Sequence, residues 1–328
     1  MKFAIVGAGA IGSFLAARMT RAGIDVTLVG RGSQLAAIRR GGVRVVSPVE
    51  PNEFTSHVKI AASIDEVGIV DVVILAVKSH SLMDVAPALP ALFHESTVVV
   101  TTQNGIPWWY FDHAGPPFEG LQLERLDPGG MIAKSIAAER VVGSLVYFAT
   151  EVMEPGLVRH VEGDRMSLGE PRGGPSERSQ RIAAALIRAG LRAPVVPQIR
   201  REIWVKLLGN VAMNPISALT GATLAEISRD PDMRAIAREV MVEAELVAQG
   251  LGLRLPITID QRMAGAAKVG EHKTSMLQDL EAGRPLELEA VVGAVIDVGE
   301  RLGVDVTRTR TLYACTKLAA ALRVGRPL

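Results

Sequence analysis

The chain has a single cysteine, Cys315, and therefore no internal disulfide. A lone thiol suits a reducing compartment, so a cytoplasmic location is expected. An excess of charge is missing too: 36 Lys and Arg stand against 35 Asp and Glu, a net charge of +1, with no long block of like charge. Nucleic-acid binders carry a clustered basic surplus, so no nucleic-acid partner is expected. The six histidines show no ligand spacing, and no metal is expected. Internal repeats and low-complexity tracts are absent. So is a membrane-grade apolar run, and no membrane partner is expected. Residues 207–225 carry no charge, but they contain Asn210, Asn214, Pro215, Ser217, Thr220 and Thr223. That is too polar for lipid and reads as a buried helix leading into a loop. The start of the chain, Lys2 followed by apolar and small residues, superficially matches a secretory leader. Gly7, Gly9 and Gly12 interrupt the run, and Arg18 closes it without a small-x-small cleavage site. A buried strand turning into a helix is expected instead.

What is present is ordinary globular material. There are 328 residues, 48% hydrophobic and 22% charged, enough for two domains at roughly 100–200 residues each. In the first half, runs rich in Val and Ile alternate with helical stretches. Residues 3–7, 25–29, 71–77 and 97–101 read as strands, and 11–22 as a helix stopped by Gly23. The first strand is apolar on both faces, as a central parallel strand is. Such alternation indicates a parallel sheet with right-handed crossovers. Residues 141–150 and 156–161 read as further strands that extend the sheet in antiparallel fashion. From about Ile199 the texture becomes helical. Met233, Ile236, Val240, Ala244 and Val247 fall on one face of a helix over 231–250, ended by Gly250. Leu288, Val291, Val292, Val295, Val298 and Leu302 repeat the pattern up to Gly303, and 307–323 supplies another helix.

Gly7-Ala8-Gly9-Ala10-Ile11-Gly12 matches G-x-G-x-x-G, and it follows a strand and opens a helix, the context in which this motif binds dinucleotides. The first glycine permits the turn, the second admits the pyrophosphate and the third packs helix on strand. Free N–H groups at the helix start favour the phosphates. The expected fold is therefore an α/β Rossmann-type N-terminal domain with a parallel sheet, residues 1–197, followed by an all-α C-terminal domain, residues 198–328, for substrate and catalysis. NAD enzymes place an acid about 20 residues on, at the end of the second strand. Here that strand ends Val29-Gly30-Arg31, and its only acid, Asp25, lies at the other end. Arg31, a planar multi-donor cation, sits where a 2′-phosphate would lie, so NADPH is expected over NADH. Lys78 and Asn104 follow two further strands, at the edge where ligands bind in open α/β sheets. Taken singly, Lys78 reads equally as a solvated loop lysine and Asn104-Gly105 as a plain turn.

The run from Glu202 to Pro215 carries the chemistry. Lys206, Asn210 and Asn214 are spaced i, i+4, i+8, one face of a helix. Such groups in an apolar helix are costly unless they meet partners or ligand. A lysine beside the oxygen of a ketone undergoing reduction stabilises its growing charge and donates the proton, while amides orient hydroxyl or carboxylate groups. The competing reading is a lysine snorkelling to water with the asparagines capping loops.

Taken together, these pieces resemble the ketopantoate reductase family (2-dehydropantoate 2-reductase). The resemblance rests on the Gly7–Gly12 loop, Asn104-Gly105, the Trp204-x-Lys206…Asn210…Asn214-Pro215 run, and Ser275-Met276-Leu277-Gln278-Asp279 with Glu287 beyond. It implies reduction of the C2 ketone of ketopantoate to pantoate by NADPH, a step in coenzyme A precursor synthesis. It also implies Lys206 as general acid, with Asn210 and Asn214 orienting substrate. Ser275 would hold the substrate carboxylate, Glu287 would lie near the nicotinamide and substrate hydroxyl, and Lys78 and Asn104 would touch the cofactor. By residue type alone, Glu287 reads equally as a first-turn helix acid and Ser275 as an N-cap. The chain departs from the family at three positions where asparagine is usual and Leu224, His272 and Val292 stand instead. Residues 107–130, with Trp108, Trp109 and Tyr110, form a longer segment for which core packing is favoured over a site cover or subunit contact. The expected partner is a small-molecule 2-keto acid, and a homodimer stays open. Two other functions are weighed: reduction of another branched 2-keto acid, and a non-enzymatic NADP(H) sensor, against which Lys206, Asn210 and Asn214 argue.

Overall fold

The computed structural model describes residues 1–49 and 52–324. By internal packing the chain divides into two units. The first comprises Met1–Gln103, Trp109–Gln122 and Gly129–Ile199; the second comprises Asn104–Trp108, Leu123–Pro128 and Arg200–Leu328. The sequence boundary at 197/198 lies two residues before this division, and two short segments from the first half of the chain belong to the second unit.

The first unit is built on a nine-stranded sheet. Its strands are β1 (Phe3–Val6), β2 (Val26–Val29), β3 (Val43–Val46), β4 (Glu53–Ser56), β5 (Lys59–Ala61), β6 (Val72–Leu75), β7 (Val98–Thr101), β8 (Val141–Glu154) and β9 (Leu157–Gly169). They run in the order β4-β3-β9-β8-β7-β6-β1-β2-β5. The six from β5 to β8 are mutually parallel. The chain starts in the middle at β1, passes to β2, forms β3 and β4 at the far edge, comes back to β5 beside β2, and then crosses to β6 on the other side of β1. That reversal makes the carboxyl ends of β1 and β6 a switch point, where ligands bind in such sheets. Every residue of β1, β6 and β7 is buried, as strands covered on both faces must be. Helix α1 (Ala10–Arg21) covers one face with Phe14, Leu15 and Met19, and Phe14 meets Phe148 of β8 at 5.2 Å between ring centroids. Further helices of this unit are α2 (Gly32–Gly41), α3 (Leu82–Val85), α4 (Met131–Ser135) and α5 (Glu177–Arg188).

Strands β3, β4 and β5 have no counterpart in the sequence reading. The β8–β9 hairpin is antiparallel within itself and longer at both arms than expected, but it does not extend the sheet in antiparallel fashion: β8 is parallel to β7 and β9 is parallel to β3. The aromatic segment is core: Trp109, Tyr110 and Phe111 are at most 2% exposed. Gly143 makes room for the Trp109 ring, where a Cβ would come within 2.6 Å.

The second unit is helical, with α6 (Ile199–Thr220), α7 (Leu224–Arg229), α8 (Pro231–Gly250), α9 (Ile259–Val269), α10 (Ser275–Glu281), α11 (Ala294–Leu302) and α12 (Thr307–Val324). No helix among the described residues is long and apolar enough to cross a membrane. One buried acid organises the packing of α8 on α12. Glu243, 7% exposed, accepts the backbone N–H groups of Arg308 and Thr309, both at 2.9 Å, and the Thr309 hydroxyl at 2.7 Å. It thus satisfies orphan donors at the start of α12. Replacing Glu243 with alanine strands them, and the expected cost is about 3 kcal/mol, the scale of hydrogen bonds to a buried charge. Urea unfolding monitored by circular dichroism measures it; an unchanged midpoint would remove this role.

Candidate active site

The glycine loop joins β1 to α1. Gly7 has φ +117°, and a Cβ on it would lie 2.8 Å from the backbone of Ala76, beyond the end of β6. A Cβ on Gly12 would lie 1.9 Å from the Gly7 carbonyl oxygen. Both glycines therefore serve close packing inside the protein. Gly9 differs, because a Cβ there would meet nothing within 4 Å. Gly9 is the N-cap of α1, no side chain caps the helix, and its first turn carries no acid. Uncapped amides, the positive end of the dipole and open space at the middle glycine fit a pyrophosphate. Ala8, Ala10 and Ile11 complete the turn and the entry into the helix.

Gly30 follows the last residue of β2, and its Cβ would strike Ala8 at 2.4 Å, so this glycine lets the strand end lie against the loop. Sequence reasoning passed over it. Arg31 follows, exposed, as the N-cap of α2. Asp25, before β2, is bonded by Lys59 at 2.6 Å, a contact that holds its carboxyl below the ordinary range. The end of β2 thus presents a cation and no acid. Lys78 is half-buried, three residues past the end of β6, and precedes the 3-10 turn Ser79–Ser81.

In the second unit, three residues remote in sequence converge. The Lys206 ammonium, on α6, donates to Asn104 Oδ1 at 2.7 Å. Asn104 Nδ2 in turn donates to Glu287 Oε2 at 3.3 Å. Only one amide orientation satisfies both neighbours, since the ammonium only donates and the carboxylate only accepts. Asn210 and Asn214 lie one and two turns further along the same face of α6; Asn210 is half-buried and Asn214 is 7% exposed. Among the described residues neither amide has a hydrogen-bond partner. Ser275 is exposed as the first residue of α10, and Thr274 caps that helix by accepting the Leu277 N–H at 3.2 Å. The capping alternative for Ser275 is therefore corrected: the adjacent threonine has that work.

Glu287 stands where the chain enters its next helix, which opens on a π-helical turn, Glu289–Gly293. Gly105, φ +86°, packs onto this turn so closely that a Cβ would lie 2.2 Å from the Ala290 carbonyl oxygen, and the Ile106 N–H donates to that oxygen at 2.9 Å. The Asn104-Gly105 pair is thus a docking turn. Beside it Arg125 bonds Glu289, Asp297 and Tyr313. The hydrogen bonds to Asp297, with Glu289 behind, raise the guanidinium further above its ordinary value. Burial, with Glu289, also raises the Tyr313 hydroxyl. Arg125 and the π-turn had no warning in the sequence beyond Gly293, an unexpected glycine inside an apolar helix pattern. Of the three departures from the family, Val292 is wholly buried within the π-turn. Leu224 and His272 are half-buried and joined through the main chain at 3.0 Å.

Comparison with known proteins agrees along the whole chain. Residues 3–173 match the family model for ketopantoate reductase PanE/ApbA, and residues 198–320 match that for its C terminal. The 2-dehydropantoate 2-reductase of Mesorhizobium japonicum is 50% identical over 327 residues, 99% of each chain. That of Archaeoglobus fulgidus is 30% identical over 94% of each. A solved structure of a candidate ketopantoate reductase from Ralstonia solanacearum MolK2 superposes with a TM-score of 0.92 at 39% identity, over 99% of both chains. Matches of this extent, spanning both units, establish that the chain belongs to the ketopantoate reductase family.

Proposed function

We propose that this chain is an NADPH-dependent 2-dehydropantoate 2-reductase, forming pantoate. The observation that carries the reading is the Lys206–Asn104–Glu287 chain in a protein 50% identical to a 2-dehydropantoate 2-reductase. When bound, a reduced nicotinamide supplies hydride for the C2 carbon. Lys206 donates its proton to the C2 oxygen as negative charge develops there, the general-acid role. Asn104 holds the ammonium at one position, so no reorientation is needed during the step. Glu287 fixes the Asn104 amide and receives the substrate hydroxyl. Asn210 and Asn214 orient the substrate from the same helix face, and the Ser275 hydroxyl holds its carboxylate. The Gly7–Gly12 turn would hold the nucleotide's phosphates, Lys78 would contact the nucleotide, and Arg31 would take the 2′-phosphate. A reducing cytoplasm suits the exposed Cys315 thiol.

The test is NADPH oxidation by purified protein with 2-dehydropantoate and with a panel of other branched 2-keto acids. Preferential turnover of 2-dehydropantoate is expected. Preference for another acid would replace the substrate, and NADPH binding without any turnover would favour a sensor. The cofactor choice has its own test. Arg31→Ala removes hydrogen bonds to a charged group, each about 1.5–3 kcal/mol. NADPH affinity should then fall roughly 10- to 100-fold while NADH affinity holds. Equal losses for the two nucleotides would exclude Arg31 from the phosphate.

A further inference from the structure

The π-turn has a consequence for the lysine. In a regular helix the Ala290 carbonyl would accept the Ala294 N–H. Here the Ala294 N–H goes to Glu289 instead, and the Ala290 oxygen is released to accept Ile106 N–H at 2.9 Å. Turns of this kind are rare and cluster at functional sites. This one docks the segment that presents Asn104 to Lys206.

Arg125 grips the turn at both ends. Its Nη1 donates to Glu289 Oε2 at 2.6 Å, at the first residue of the turn. Its Cδ lies over the last, Gly293, where a Cβ would come within 2.5 Å. Nε and Nη2 fork onto the Asp297 carboxylate at 3.0 and 2.8 Å. The Tyr313 hydroxyl accepts from Nη1 at 2.8 Å and donates to Glu289 Oε1 at 2.8 Å. An isolated surface ion pair contributes little. A forked cation closing two carboxylates and a hydroxyl around one turn is geometrically specific, and without it Glu289 and Asp297 would face each other as like charges.

We propose that Arg125 is a positioning residue for the reduction: by pinning the π-turn it keeps the Ala290 carbonyl on Ile106 and so fixes Asn104 between Lys206 and Glu287. The inference rests on Lys206 acting as the acid. Arg125 need not touch substrate or nucleotide to act in this way.

The experiment compares the wild-type chain with Arg125→Met and Glu289→Gln, the second keeping side-chain shape should the first fold poorly. Arg125→Met is expected to lower kcat roughly 10- to 100-fold, the scale of a misplacement transmitted from outside the site, with NADPH affinity unchanged. Glu289→Gln should move kcat in the same direction by less. Amide exchange at Ile106, followed by mass spectrometry, should accelerate in both. In a cycle with Asn104→Ala, the loss from Arg125→Met should largely disappear once Asn104 is gone, because the two act on one geometry. Additive losses in that cycle, or wild-type kcat with wild-type protection at Ile106, would overturn the proposal. Should the wild-type chain fail to reduce 2-dehydropantoate, the functional reading falls, and exchange at Ile106 still decides for or against the positioning role.

Discussion

Replacing Lys206 with methionine is expected to lower turnover of 2-dehydropantoate by roughly 10²–10⁴, the range for loss of a general acid, and to leave NADPH binding intact. Methionine fills much of the same volume on α6 and cannot donate a proton. It also leaves Asn104 Oδ1 without the ammonium that it accepts at 2.7 Å. Water can protonate an alkoxide, which is why the expected residue of activity is not zero. Steady-state oxidation of NADPH gives the turnover, and a fluorescence titration with the nucleotide gives its affinity. Turnover near the wild-type value would remove Lys206 from the chemistry. A parallel loss of nucleotide affinity would mean that the substitution disturbs more than the proton donor.

Gly9→Val is expected to weaken NADPH at least about 100-fold, or close to 3 kcal/mol, with a much smaller effect on thermal stability, that of a poorer N-cap. The two halves of this expectation come from one measurement of space. Beyond its chain neighbours and its own helix, no protein atom lies within 4 Å of a Cβ at Gly9, and its φ of −74° is open to any residue. A Cβ there meets no neighbouring part of the fold, while a side chain occupies the approach to the α1 amides that a pyrophosphate requires. Gly12→Val is the contrasting variant: its Cβ would collide with the Gly7 carbonyl oxygen at 1.9 Å, so it should lose stability as well as affinity. Full affinity for NADPH in Gly9→Val would dissociate the glycine turn from the phosphates.

The legible parts of this protein are those whose meaning is local. The β1–turn–α1 unit is one continuous stretch in which strand, glycines and helix follow each other, so pattern and spacing suffice. The face shared by Lys206, Asn210 and Asn214 is equally local, because helical periodicity alone aligns them. The α8 helix, Pro231–Gly250, has its bounds written in a proline at the start and a glycine at the end. What escaped was short or distant. Strands β3, β4 and β5 read VRVV, EFTS and KIA, charged or polar side chains set into a few residues, and lack the continuous apolar run that marks the equally short β1 and β6. The outer parts of β8 and β9 mix polar and apolar side chains, and their register shifts near Tyr147 and Ala149 interrupt the period. The pairing of Asn104 with Lys206 and Glu287 spans 102 and 183 residues of chain, and periodicity carries no information at that range. Glu287 was named through family resemblance, and residue type alone left it as a helix-start acid. A π-turn depends on which carbonyl each N–H selects, so Leu288, Val291, Val292 and Val295 read as plain helix while the Ala290 oxygen has been given to Ile106.

The proton donor is tested most directly by a crystal structure of the protein with pantoate and oxidised NADP bound. The account predicts the Lys206 nitrogen within hydrogen-bond reach of the C2 hydroxyl oxygen, about 2.6–3.2 Å, with Asn104 still accepting from the same nitrogen. A bound pantoate whose hydroxyl meets some other acid, while the Lys206 ammonium faces bulk water, would contradict it.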